Sequence, residues 1–316
     1  MHNIITRRPR TNEISALLHI WNNSFDSPDE GAEFFSQYFD PNLSLVVCLG
    51  EMPVAMGHLL PIGKLVSDQL SAPCAMIYAI AALPGHRKRG FGTAISKGLI
   101  SNARSLGFPA IALCPADEGL FEFYKSRTEM REWFYVNELC FTAPPASTKQ
   151  ALLEPISAQK YAKLREVLLE NTPHVEFNQR ALEYQSTLCN LYGGGLYQIK
   201  TSIGISCAVV ERQSDDFVCI KELLTDAGFS NQTKPTNRTT KEQTHSLSSM
   251  ISAIATKYPA AKYEIRMPAE TRAKMELTGY DTFQKRKFAM LAMTPEVKEM
   301  TEESIDTPWW FGLAFD

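Results

Sequence analysis

Apolar residues along the first half of the chain fall into two spacings, one helical and one of strands. Ile14, Leu17, Leu18 and Trp21 recur at helical intervals and predict a helix, with either Thr11 or Asn12 as its cap. Ser27-Pro28-Asp29-Glu30 sets a serine before a proline and two acids, the capping-box pattern of a second helix beginning at Ser27. Residues 43–49 and 54–62 read as strands, and the apolar run 76–83 as a third. Residues 93–106 then carry Ile95, Leu99, Ala103 and Leu106 on one face before stopping at Gly107, which predicts a helix. Residues 110–114 make a strand stopped by Pro115, and Leu120, Phe121 and Tyr124 share one face of a short helix. Residues 133–141 are aromatic and branched enough to return as a strand.

The second half echoes that order without repeating its letters. Residues 143–147 are rich in alanine, proline and serine and read as a linker, dividing the chain into domains 1–146 and 147–316. Tyr161, Leu164, Val167 and Leu168 mark one helix, and 178–190 another that ends at Gly193-Gly194-Gly195. Strands follow at 196–199, 207–211 and 217–224, then a polar stretch 225–244, a helix around 247–257 and a strand at 263–267. The expected fold class is therefore α+β, in two domains of similar element order.

Composition narrows the function classes. The net charge of −3 argues against general nucleic-acid binding, and 44% hydrophobic content supports ordinary cores. No segment reaches the roughly 18 apolar residues that span a membrane, and the first ten residues lack a signal-peptide core, so a cytoplasmic protein is expected. The 7 cysteines are odd in number and mostly sit inside apolar runs, while the 6 histidines are scattered. Reduced core thiols and no metal are the expectation, and the oligomeric state is left open.

The chemistry concentrates at residues 83–94, Leu-Pro-Gly-His-Arg-Lys-Arg-Gly-Phe-Gly-Thr-Ala, between the third strand and the helix that follows. Helix N-termini offer unpaired N–H groups and a positive dipole end, so glycines and flanking arginines there favour a pyrophosphate. A Walker A loop is excluded, because Gly85 and Gly90 are not followed by Lys-Ser or Lys-Thr. The dinucleotide fingerprint fails at Ile95, where a glycine or alanine is needed. A solvated basic turn would not need Gly90 and Gly92 at this spacing. Arg87-Lys88-Arg89-Gly90-Phe91-Gly92 instead resembles the Q/R-x-x-G-x-G/A signature of GNAT acyltransferases, over roughly the first 145 residues.

The resemblance implies a GNAT acyltransferase fold followed by a second, degenerate GNAT-like domain without the cofactor loop. It implies an enzyme that transfers acetyl from acetyl-CoA to a primary amine by direct attack. Arg87, Lys88, Arg89, Gly90, Phe91, Gly92 and Thr93 match the pyrophosphate-binding positions, and Ala81, Ala82 and Leu83 the strand end that pairs with the pantetheine arm. Tyr124 matches the proton donor to the leaving thiolate, with aromatic packing as the plainer alternative. Lys125-Ser126-Arg127-Thr128 departs from the family there, which has a glycine and an aromatic. The paired domains are similar to the enhanced-intracellular-survival type, whose sterol-carrier-like third domain is not expected in 316 residues. A coenzyme A-binding module without turnover, or transfer of another acyl group to a peptide or protein amine, is the alternative.

The acceptor, a small-molecule or peptide amine, is expected beside the first two helices. Trp21 and Phe25 are candidates for its apolar wall and Asp26 for its acidic rim, although Trp21 also lies on the core stripe and acids near a helix start have a capping role. The last eight residues, Trp309-Trp310-Phe311-Gly312-Leu313-Ala314-Phe315-Asp316, are too apolar to be solvated, so a final strand is expected there. By resemblance, the carboxylate of Asp316 is a candidate catalytic base.

Overall fold

Turn residues and caps cut the chain broadly as its periodicity predicts, with additions at the edges. The computed structural model describes residues 4–142, 151–202, 204–225, 240–268, 282–302 and 308–315. The first half runs β1 (Ile4–Arg7), α1 (Ile14–Asn22), α2 (Pro28–Glu33), β2 (Ser44–Leu49), β3 (Met52–Val66), β4 (Ser71–Ala82), α3 (Phe91–Ser105), β5 (Ala110–Leu113), α4 (Glu118–Arg127) and β6 (Arg131–Phe141). There follow β7 (Leu152–Pro155), α5 (Ala158–Leu168), β8 (His174–Phe177), α6 (Gln179–Leu191), β9 (Gly195–Thr201), β10 (Gly204–Ser214) and β11 (Phe217–Thr225). Last come α7 (Thr240–Lys257), β12 (Lys262–Pro268), β13 (Thr282–Met293) and α8 (Pro295–Glu302). Among the described residues no helix is long and apolar enough to cross a membrane.

Local chemistry corrects several expectations. Thr11 and Asn12 do not cap α1, because they sit inside a 3-10 turn that the Glu13 carboxylate closes onto the Arg10 N–H at 2.7 Å. Ser27 occupies the cap position of α2 but its side chain makes no cap bond; its carbonyl accepts the Trp21 indole N–H at 2.9 Å instead. α2 then widens into a π turn, Phe34–Tyr38. On α5 the apolar stripe is misleading, since Val167 is exposed while Arg165 is fully buried. The expected linker at 143–147 and most of the polar stretch 225–244 lie outside the described residues.

The chain forms two compact units that take strands from each other's half. One comprises Met1–Leu65, Leu70–Trp133 and Ala289–Glu303; the other comprises Val66–Gln69, Phe134–Phe288 and Ser304–Asp316. In the first the strand order is β1-β2-β3-β4-β5-β13, with β4 and β5 parallel and β13 antiparallel to β5. α3 buries Phe91, Ile95, Leu99 and Ala103 on one face of that sheet, with Phe121 and Tyr124 of α4 in the same core. Truncating a side chain as buried as Leu99 to alanine costs about 2–5 kcal/mol.

The second unit has the order β7-β9-β10-β11-β12-β6, again with one parallel pair, β11–β12, and an antiparallel closing strand, β6. α7 supplies Leu247, Met250, Ile251 and Ile254 to its core. The tail at 309–315 is buried there but is no strand, and a single bridge joins Trp310 to His174. Side chains add to the backbone bonds that Trp310 makes with Pro173 and Val175. Glu222, fully buried, accepts the Trp310 indole N–H at 2.6 Å, the Tyr161 hydroxyl at 2.5 Å and the Arg165 Nε–H at 3.0 Å. Arg165 also donates to the Phe311 carbonyl at 3.1 Å, so every charge in this cluster is paired. Gly312 has φ +94°, and a Cβ there would overlap the Glu222 carboxylate.

Candidate active site

The pairing of β4 with β5 ends at Ile77 with Leu113, yet β4 continues to Ala82. The departure coincides with a kink at Ala79, whose φ of 50° is left-handed. Beyond it the Leu83 N–H donates to the Val54 carbonyl at 3.0 Å, which keeps the strand end on β3 while its other edge leaves β5. A 3-10 turn, Pro84–His86, leads into the basic loop. Gly90, with φ 83° and ψ 1°, turns the chain into α3, and no side chain caps the helix. The N–H groups of its first turn therefore face outward with the positive end of the helix dipole, a geometry suited to a phosphate.

The loop's basic residues divide their roles. Arg87 donates through Nε to the Ala82 carbonyl at 3.2 Å and through its terminal nitrogen to the Asn23 carbonyl at 3.1 Å, tying the loop to the strand end and to the end of α1. Arg89 reaches the His86 ring at 3.2 Å and lies 5.3 Å over the Phe91 ring. Lys88, with φ 61°, is exposed. A Cβ on Gly92 would meet only Phe123, at 3.6 Å, so the backbone there is open to a close ligand. Phe123 in turn lies 4.7 Å beneath the Arg127 guanidinium. Ala81 is buried, whereas Ala82 and Leu83 are partly open.

Tyr124 sits in the core under α4, with Phe123 edge-on at 5.0 Å. Burial, and secondarily the charge of Asp117, pushes its hydroxyl up to a pKa of about 12. It stays a proton donor. Asp117 itself caps α4 by accepting the Leu120 N–H at 3.0 Å, and Thr128 closes the helix on the Tyr124 carbonyl.

Of the residues expected to border an acceptor, Trp21 is buried among Phe25, Phe34, Phe35 and Tyr78, ring centroids 4.9 to 6.0 Å away. Its N–H is already committed to Ser27, so it packs as core; Phe25 is partly open and Asp26 exposed. Sequence reasoning passed over His58, the polar residue inside the apolar run 54–62 of β3. It is buried, bonded through Nδ1 to Ser44 Oγ at 2.8 Å, and ringed by Phe34, Phe35 and Phe39. Burial pushes its pKa down to about 3. Asp316 lies outside the described residues.

Among the described residues, Glu138, Cys140 and Glu264 are close enough together to hold a metal ion. Their acids are already engaged: Glu138 with Arg286 and Gln284, Glu264 with Arg266 at 3.0 Å and the Cys219 thiol at 3.6 Å. Two guanidiniums against the carboxylates oppose a cation there.

Residues 6–128 match the family described as Acetyltransferase (GNAT) domain. No curated protein matches the chain by sequence. Solved structures share its fold over most of its length. A GCN5-related N-acetyltransferase from Kribbella flavida aligns at 13% identity with a TM-score of 0.64, covering 92% of this chain and 71% of that one. Eis1 from Mycobacterium abscessus aligns at 12% identity and TM-score 0.56, covering 92% and 73%. A tandem GNAT protein from the clavulanic acid biosynthesis pathway aligns at 14% and 0.54, covering 92% and 98%. At these identities the likeness is one of fold.

Proposed function

We propose that this chain, whose residues 6–128 match the GNAT acetyltransferase domain family, transfers an acetyl group from acetyl-CoA to a primary amine, by direct attack in a ternary complex. The observation that carries this reading is the parting of β4 from β5 just before an uncapped helix start. An extended chain has a free strand edge to pair with there, and a diphosphate has N–H groups to meet. Gly92, where a Cβ would meet only the Phe123 ring at 3.6 Å, fits the close backbone approach that a pyrophosphate needs.

In this reading the N–H groups from Gly90 to Thr93 hold the pyrophosphate, with Lys88 and Arg89 supplying charge around it. Arg87 fixes the loop's posture through its two carbonyl bonds. The backbone of Ala81, Ala82 and Leu83 aligns the pantetheine arm, so that the thioester carbon faces the amine. Holding both reactants in attack geometry contributes on the order of several kcal/mol. The neutral amine nitrogen attacks the thioester carbon and the carbon–sulfur bond breaks as Tyr124 donates its hydroxyl proton to the leaving sulfur; the proton shed by the nitrogen passes to water, from which the Tyr124 phenolate is reprotonated. Phe25 and Asp26 border the side from which the amine arrives.

The test is thiol release. Acetyl-CoA incubated with the protein and a set of polyamines, aminoglycosides, peptides and arylalkylamines is expected to give free coenzyme A with at least one class. A protein that acetyl-CoA stabilises thermally but that releases no thiol with any amine would be a binding module instead.

A further inference from the structure

The Ser44 hydroxyl has one proton, and two contacts compete for it. It donates to the Asp40 carbonyl at 2.7 Å, and since a carbonyl can only accept, the proton goes there. The 2.8 Å contact to His58 must then be Nδ1–H donating to Ser44 Oγ. That fixes the tautomer: Nε2 carries a bare lone pair. Among the described residues Nε2 has no hydrogen-bond partner, although the ring is almost wholly buried. Buried acceptors of this kind are ordinarily satisfied.

What surrounds Nε2 limits what it can accept. Phe34 lies 4.9 Å from the imidazole, and Phe35 and Phe39 meet it at 78° and 83°. All three rings come from the π turn or the residue after it, and such turns are frequent at functional sites. Phe34 also stands 5.5 Å from Tyr78, the neighbour of the kinked Ala79 where β4 leaves β5. The unsatisfied nitrogen therefore belongs to the ring cluster at the strand parting that the acyl-transfer reading assigns to the thioester arm.

Resting on that reading, we infer that His58 Nε2 is the hydrogen-bond acceptor that orients the acyl-accepting amine, and that this amine is borne on a flat apolar group rather than on a polycation. An N–H that reaches Nε2 does so within this cluster of rings. The apolar cage opposes an imidazolium, so His58 aligns a neutral amine without storing its proton, and a second charge carried in among these rings would be stripped of water.

The test uses the full chain with 15N-labelled histidine and phenethylamine as the probe, in the presence of coenzyme A so that no acyl group is transferred. The Nε2 resonance of His58 is expected to move from the position of a bare imidazole nitrogen as the amine saturates, and to move less with spermidine at equal concentration. In steady-state kinetics, His58→Asn keeps a donor towards Ser44 but deletes Nε2. It should raise KM for phenethylamine about tenfold or more, with kcat changed only about threefold and acetyl-CoA affinity unchanged. No movement of the resonance with either amine overturns the assignment even if thiol is released, and so does a wild-type KM in His58→Asn. Movement without thiol release in any assay leaves His58 as the amine's acceptor and removes the acetyl-transfer reading instead. The resonance is read on the wild-type protein, so it decides even if His58→Asn does not fold.

Discussion

Burial holds two ring groups of the first unit neutral, one as an acceptor and one as a donor. His58 has its pKa pushed down to about 3 from 6.5, so below about pH 6.5 the unfolded chain takes up a proton that the fold refuses. The associated stability is complete above that pH and is lost as acid is added, down to about pH 3, at about 1.4 kcal/mol per pH unit. Glu13, held low mainly by its hydrogen bond from Arg7, adds its own loss only below its ordinary 4.5. Urea unfolding between about pH 6 and 5 should therefore show a flatter pH dependence in His58→Phe than in the wild type, and equal slopes would mean the imidazole is hydrated in the fold. Tyr124 is the opposite case, a hydroxyl kept protonated. Tyr124→Phe preserves the ring in the core, so its melting temperature and acetyl-CoA affinity should hold while turnover falls about 10²-fold. Unchanged turnover would make Tyr124 a packing residue alone.

Among the elements, α3 and the loop before it carry the sharpest expectation. Gly92→Ala adds a Cβ that meets only Phe123 at an ordinary distance, so the fold should tolerate it. Gly92→Asp sets a carboxylate against the helix start, where it competes with a bound phosphate. The thermal shift given by acetyl-CoA should then vanish in Gly92→Asp and persist, reduced, in Gly92→Ala. A full shift in Gly92→Asp would move the cofactor elsewhere. This loop was legible because its requirements are local: a glycine that can take φ 83°, basic neighbours, a strand before and a helix after. His58 was not legible, since a lone histidine in an apolar strand looks the same whether its second nitrogen is paired or bare. Arg165 was missed for a related reason. Helical spacing ranked Val167 as core, but the buried Glu222 carboxylate, distant in sequence, draws the guanidinium inward and leaves Val167 in solvent. Short edge strands such as β1 and β7 are too brief for their alternation to register.

At the scale of the whole molecule, local pattern predicts strands but not their partners, and here the partners cross the chain. The element order of the two halves suggested consecutive domains at 1–146 and 147–316, whereas the first unit also includes Ala289–Glu303. From that segment β13 pairs Met290 with Leu113 and Ala292 with Ile111, and both Met290 and Ala292 join the core beneath α3. A fragment ending at residue 146 lacks them. It would expose the edge of β5, four buried residues long, along with the side chains that Met290 and Ala292 cover. Such an edge favours pairing with other copies over folding. The fragment is therefore expected to aggregate or to bind a hydrophobic dye and melt without a cooperative transition, while the full chain melts cooperatively and gains stability from acetyl-CoA, by about 2.7 kcal/mol at one hundred times its dissociation constant. A synthetic peptide of residues 282–303 added during refolding should restore part of the fragment's cooperative melt by returning β13 to β5. A fragment that melts like the full chain with no peptide would show that β5 closes the sheet unaided, and that the strand borrowed from the end of the chain is dispensable to the first unit.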